Sequence, residues 1–353
     1  MHKYPHNLYW LIILILCFFV PVVSCSQTLD EDAVKDFVQH MVDAHAFEEK
    51  SIESKLLGLE RSERVINLMA RPAEKSKTWL EYKDIFVTER RIAKGLDFWE
   101  KHENTLAKAF EKYGIPPQVI VSIIGIETFY GRIKGDHNVL QSLATLAFHY
   151  PGNRPRREKY FRTQLEELFL LARSEGLDLA RMEGSYAGAL GIPQFMPDNY
   201  RKLSVDFDGD GKRDIWGSPS DAIGSVGNYL KHHGWKRGDP IMSPVKTVND
   251  DIDHLLNKGI KPYLSLRELA SEGLRIDGNE QTILDKVALF RLQVSDGFEY
   301  WAGYNNFYVI SRYNPRTKYV MVVALLAEAI RELREEQLKD VTPNLNISFS
   351  ELD

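Results

Sequence analysis

The stretch from Pro116 to Gly131, PPQVIVSIIGIETFYG, constrains this chain more than any other, because it joins a helix start, an apolar stripe, a lone acid and a helix stop. Pro116 and Pro117 suit the first turn of a helix, where a missing N–H costs nothing, and Gly131 suits the left-handed residue that ends one. Ile120, Ile123, Ile124 and Glu127 recur at i, i+3, i+4 and i+7. The Glu127 carboxylate is therefore expected on the same face as isoleucines that must be buried. Apolar walls push an acid toward its protonated form, and a carboxylic acid still protonated near neutrality can donate to a leaving oxygen. Glu127 is thus a candidate general acid. The stretch alone fits equally well a buried glutamate paired with an arginine or capping a neighbouring helix.

At 353 residues the chain can hold one large lobed domain or two domains sharing a groove. A net charge of −5 gives no basic excess, so nucleic acid is not an expected partner. Leu11 to Val23 is apolar apart from Pro21, shorter than the ~20 residues that span a bilayer, and reads as the core of an export signal over residues 1–24. The residues Val22, Val23 and Ser24 before Cys25 resemble the lipobox of bacterial lipoproteins, which would make Cys25 an acylated first residue; an ordinary signal peptidase site is the other reading. Cys17 and Cys25 are the only two cysteines, so the exported body has no disulfide and relies on its core.

Beyond the signal, Leu29 to about Met69 has an amphipathic helical pattern, and Pro72 breaks it. Trp79, Tyr82 and Phe86 follow as an aromatic stripe of the kind that fills cores. Ile92 to Tyr113 reads as one helix and Asn138 to His149 as another. Arg154, Arg156 and Arg157 then precede a Glu-rich helix, either to hold an acidic substrate group or to pair on the surface. Ser185 to Pro197, SYAGALGIPQFMP, has the glycine spacing of a tight packing site, or of a groove floor where a ligand meets backbone groups and the Gln194 amide. A helix through Ser225, Tyr229 and His232 comes next, and Pro240 to Leu284 has no strong period. Val287–Val294, Phe298–Trp301 and Phe307–Tyr313 are rich in β-branched and aromatic residues and predict a small antiparallel sheet. A helix over about Arg316 to Lys339 closes the fold, before a loose tail.

Several enzyme classes lack their required patterns: there is no HExxH, no GxSxG, no P-loop and no GxGxxG. DFDGDGKRD does carry a pattern, with Asp206, Asp208 and Asp210 at alternate positions, Gly211 for the sharp turn, Lys212 to offer its carbonyl, and Asp214. That is the front of a calcium loop, although Gly217 stands where an EF-hand has its bidentate glutamate. Asp221 could close the shell from the next helix. The alternative is a hydrated acidic turn, in which four like charges would repel without a cation.

Taken together, IIGIETFYG, SYAGALGIPQFMP, VDFDGDGKRDIW with SDAIGSVGNYLKHHGW, and NFYVISRYN resemble the membrane-bound lytic murein transglycosylase B family, in that family's order. The resemblance runs from about Met69 to the closing helix. It implies an α+β, mainly α chain: a lysozyme-like helical core with flanking helical and small antiparallel-sheet lobes over residues 25–340, a calcium loop at 206–221 and a tail at 341–353. It also implies Glu127 as the catalytic acid/base. Ser185, Gln194, Tyr229, Tyr313 and Asn314 would line the glycan groove, with Tyr82, Arg156 and Arg157 near sugar or peptide. The implied reaction cleaves the β-1,4 bond between N-acetylmuramic acid and N-acetylglucosamine without water, giving 1,6-anhydromuramoyl ends. Calcium would be structural, and no organic cofactor is implied. The implied partners are peptidoglycan strands and, through acylated Cys25, the periplasmic face of a Gram-negative outer membrane. A hydrolytic muramidase and a non-catalytic peptidoglycan-binding lipoprotein are the rival readings.

Overall fold

Pro117–Thr128 is apolar nearly all round, and the fold answers by burying it on every side: Val119, Ile120, Val121, Ser122, Ile123, Ile124, Gly125, Ile126 and Thr128 are all in the core. A helix of this composition belongs at the centre of a body rather than on its surface. It packs against Glu89–Lys101, Glu103–Tyr113, Pro219–His232 and the closing helix Thr317–Val341. The buried Ser122 Oγ donates to the Val323 carbonyl of the closing helix at 2.7 Å. The computed structural model describes residues 28–70, 77–247, 252–256, 258–276 and 286–341. Cys25, Pro72 and the tail from Thr342 lie outside them.

Three helices open the described chain: Glu31–His45, Glu49–Leu56 and Glu63–Ala70. Asp30 caps the first through the Ala33 amide at 3.0 Å, and Val34, Phe37, Val38 and Met41 form its buried face. Phe37 meets Phe148 and Phe169 at centroid distances of 6.0 and 6.1 Å. This seats the N-terminal helix on Val139–Phe148 and on the long helix Pro155–Glu175. Trp79–Phe86 begins in a capping box of Thr78 and Glu81, and buries Trp79 and Tyr82 as the aromatic stripe predicts.

A five-stranded antiparallel sheet forms a second, smaller core. Its strand order is Leu264–Ser265, Lys286–Val294, Gly297–Gly303, Met242–Thr247 and Leu274–Ile276. The central hairpin turns between Val294 and Gly297, which are register partners, and Gly297 has φ 128°, a value suited to glycine. Val245, Leu264, Leu274, Val287 and Leu289 fill this lobe. Phe290 stacks on Phe307 at 4.7 Å and joins the sheet to the helical body. Among the described residues no helix is long and apolar enough to cross a membrane.

The architecture matches the α+β, mainly α expectation, but three local readings need correction. Phe307–Tyr313 is not a strand: Asn305–Ile310 is helical, and a turn follows. The buried Asn306 side chain overrides the β-type composition here. Its amide donates to the carbonyls of Lys236 and Asp239 at 2.8 and 2.9 Å, and its oxygen accepts from the Lys236 amide at 2.9 Å. Ile92–Tyr113 is two helices, divided at His102, whose backbone leaves the helical region at φ −118° and ψ 24°. The central helix also stops earlier than Gly131 suggests. Thr128 is its last residue, and Phe129, Tyr130 and Gly131 are left-handed in succession, with φ 49°, 62° and 81°.

Candidate active site

Glu127 stands half-buried at the end of the central helix, one residue before it stops. The buried Thr128 holds that end in place, since its hydroxyl donates to the Ile192 carbonyl at 2.9 Å and accepts from the Gly131 amide at 2.9 Å. The helix end is thereby tied to the SYAGALGIPQFMP loop. Gly125 lets the reversed chain fold back: a Cβ there would come within 2.6 Å of the Tyr130 ring, whose hydroxyl donates to the Arg91 carbonyl at 2.8 Å.

The partner of Glu127 is Tyr319, which the sequence reading missed. Its hydroxyl donates to Glu127 Oε1 at 2.6 Å, from a residue 192 positions away on the closing helix. Tyr319 shares the buried side of that helix with Val320 and Val323, and this spacing is the one sequence signal that could have found it. Burial first, and the Glu127 charge second, hold the Tyr319 phenol well above its usual range, so it remains a hydrogen-bond donor. Tyr313 is held up in the same way, and Glu127 is the carboxylate that acts on it.

Around this pair the structure gathers several expected residues. The rings of Tyr229 and Tyr313 lie 4.7 Å apart, and Phe195 packs against both, at 5.4 and 5.8 Å. Their hydroxyls are spent on the backbone. Tyr313 donates to the Pro193 carbonyl at 2.9 Å and Tyr229 to the Arg312 carbonyl at 2.5 Å. The two tyrosines therefore brace the Pro193 and Arg312 backbones, and neither hydroxyl is free. Asn314, half-buried, follows Tyr313 in the same turn. Tyr82 is buried with its ring 5.1 Å from Phe86, and it is an electrostatic neighbour of Tyr319.

The loop carrying Ser185 and Gln194 is closed by its own bonds. Ser185 Oγ accepts from the Ala189 amide at 3.0 Å, and Leu190 and Phe195 pair through their backbones at 2.8 and 3.1 Å. Gln194 is left-handed at φ 52°, and its side-chain amide donates to the carbonyls of Gly191 and Lys134 at 2.8 and 3.1 Å. A non-glycine residue held there is the kind of strain that clusters at functional sites. Gly191 is required for packing, because a Cβ would lie 2.5 Å from the Ile215 carbonyl oxygen. Arg156 is exposed. Arg157 lies over the rings of Tyr150, Tyr160 and Phe161 at 5.7, 5.5 and 5.3 Å; Tyr160, together with Asp198, acts electrostatically on Tyr229.

The acidic loop is built as its spacing predicts for three of its residues. Oxygens of Asp206, Asp208 and Asp210 all lie within 4.8 Å of one another. Ligands on opposite sides of an ion bound at 2.3–2.6 Å are about 5 Å apart, so the cluster fits calcium. Asp206 is pre-aimed by the amides of Gly209 and Gly211 at 2.7 and 2.9 Å, and these bonds, that from Gly211 foremost, hold its carboxyl below the usual range. Asp214 and Asp221 stand outside the cluster. Asp214 Oδ1 accepts from the amides of Trp216 and Gly217 at 2.9 and 2.8 Å. Asp221, only 1% exposed, accepts from Phe207 and Asp214 amides, both at 2.7 Å, and ties the two ends of the loop to the start of Pro219–His232. Tyr229 is eight residues further along that helix, about 12 Å at 1.5 Å per residue, so the loop anchors the element that carries Tyr229.

The helical body has the fold of solved lytic transglycosylases. Residues 30–328 match the family model described as the transglycosylase SLT domain, and the chain belongs to that family. The membrane-bound lytic murein transglycosylase B of Escherichia coli K12 is 40% identical over 308 residues, covering 84% of this chain and 82% of the relative. The soluble lytic transglycosylase SltB1 from Pseudomonas aeruginosa superposes with a TM-score of 0.79 at 42% identity, covering 86% of this chain and 99% of that one. The Escherichia coli lytic transglycosylase Slt35 in complex with calcium gives a TM-score of 0.77 at 37% identity, covering 89% and 99%.

Proposed function

We propose that this chain is a lytic murein transglycosylase that cuts the β-1,4 bond between N-acetylmuramic acid and N-acetylglucosamine, with Glu127 as its single acid and base. The observation that supports this most is the Tyr319–Glu127 hydrogen bond of 2.6 Å, with Tyr313 and Tyr229 as electrostatic neighbours of the same carboxylate. In this reading Glu127 begins the cycle as the protonated acid. It protonates the glycosidic oxygen as the bond to the anomeric carbon breaks. The carboxylate then takes the proton of the muramoyl 6-hydroxyl, whose oxygen attacks that carbon and closes a 1,6-anhydro ring. An intramolecular hydroxyl needs no second carboxylate, because proximity supplies a high effective molarity. A retaining hydrolase would need a second carboxylate about 5–5.5 Å away. Digesting purified murein in heavy-oxygen water separates the two. Cyclisation leaves the new muramoyl ends unlabelled and one water lighter. Labelled reducing ends as the main primary product would instead favour a muramidase, with Asp198, beside Tyr229, the first base to examine.

Calcium has a structural part in this reading. Asp206, Asp208 and Asp210, with the Lys212 carbonyl, would hold the ion, and it would neutralise their mutual repulsion. At a hundredfold excess over the dissociation constant it should stabilise the fold by about 2.7 kcal/mol. Chelation should therefore lower the melting temperature of the wild type and not of Asp208→Ala. Identical melting of the two proteins with and without calcium would reduce the loop to a turn.

The chain would work at the membrane face where murein lies, anchored through an acylated Cys25. Metabolic lipid labelling that persists in Cys25→Ala would remove that anchor.

A further inference from the structure

Two histidines and a glutamate that the proposed reaction does not use converge where the N-terminal helix meets the long helix. His45 Nε2 is 2.7 Å from Glu166 Oε1, and His40 Nε2 is 3.4 Å from Glu166 Oε2. One ligand atom from each of the three residues lies within 4.8 Å of the other two. The imidazole rings meet edge to face, with centroids 5.8 Å apart. A hydrogen-bonded pair would need only one of these histidines. Here a second imidazole from the same helix approaches the other oxygen of the same carboxylate.

The three side chains stand on elements that are already fixed. Phe37, one helical turn before His40, packs on Phe169 of the long helix, which itself lies one turn after Glu166. The Arg173 guanidinium donates to the His45 carbonyl at 2.8 Å and lies 3.9 Å over the Phe47 ring, so the helix end that carries His45 is clamped. The His45 and Glu166 side chains are 24% and 25% exposed and His40 is 52% exposed, which leaves solvent a way in.

We propose that His40, His45 and Glu166 form a zinc site that pins the N-terminal helix to the long helix. Two imidazole nitrogens and a carboxylate, with water in a fourth position, are a donor set suited to this borderline ion. Bonds of 2.0–2.2 Å in a tetrahedral shell put ligand atoms roughly 3.3–3.5 Å apart. The His40 Nε2–Glu166 Oε2 distance already has that value, and His45 would exchange its 2.7 Å contact with Glu166 Oε1 for a bond to the ion. The all-oxygen loop at Asp206 prefers a hard cation, so the two sites differ in chemistry.

The test uses the full mature chain with calcium in excess, so that the oxygen loop is filled, and reads zinc by calorimetry and cobalt by visible absorption. One zinc per chain is expected, together with the absorption of four-coordinate cobalt. His40→Ala and Glu166→Gln should each weaken zinc binding by at least about tenfold and remove the cobalt signature. Asp208→Ala should keep both, and murein cleavage should be unchanged in His40→Ala and Glu166→Gln. His40 is exposed and Gln can still hydrogen-bond, so both proteins should fold, which circular dichroism checks. If the wild type takes up no zinc under calcium, or if zinc affinity and the cobalt spectrum are the same in all these proteins, the site does not exist.

Discussion

Glu127→Gln should melt close to the wild type and lose about 10² to 10⁴ in turnover on purified peptidoglycan, the usual cost of removing a general acid. The amide has the same shape as the acid, and its oxygen can still accept from the Tyr319 hydroxyl, so the 2.6 Å contact between the two helices has a counterpart in the variant. What the amide cannot do is deliver a proton to the glycosidic oxygen or take one from the 6-hydroxyl. Loss of both steps, with stability kept, separates a chemical role from a structural one. A turnover near that of the wild type would take Glu127 out of the mechanism, whatever its place in the fold.

Asp221→Ala should have the largest effect on stability. Its carboxylate is 1% exposed and accepts two amides at 2.7 Å, from Phe207 and Asp214. Truncation strands both donors at about 1–3 kcal/mol each, so a loss of roughly 2–6 kcal/mol is expected by denaturant unfolding. The loss should persist in the presence of a chelator, because these bonds join protein to protein. Destabilisation that vanished on chelation would instead make Asp221 a ligand of the ion. A variant as stable as the wild type under both conditions would mean that the loop is held by other contacts.

The sequence made Glu127 legible because a proline pair, a 3.6-residue period and a lone acid coincide within one short window. Its environment was less legible. Tyr319 meets Glu127 only when two helices far apart in the chain pack together, and a window on either helix shows one half of the contact. Tyr229 and Tyr313, expected to line the glycan groove, are electrostatic neighbours of Glu127, and their hydroxyl partners are the carbonyls of Arg312 and Pro193, which no side-chain pattern encodes. The same limit explains Asn305–Ile310. Its composition favours a strand, and the bracket that Asn306 makes to Lys236 and Asp239 decides for a helix. Alternate aspartates did give the loop its three clustered carboxylates. Asp214 and Asp221 carry the same charge but stand outside that cluster, and for Asp221 burial beside the Phe207 and Asp214 amides is something spacing does not encode.

The 192-residue separation of Glu127 from Tyr319 bears on when the site is assembled. A polypeptide emerges N-terminus first, so the acid is made well before the helix that completes its surroundings. Until Thr317–Val341 docks, Ser122 lacks the Val323 carbonyl and Glu127 lacks its phenol. A nascent or truncated chain therefore lacks both contacts. The surroundings of Glu127 are complete only once the last helix of the fold has been made and has docked.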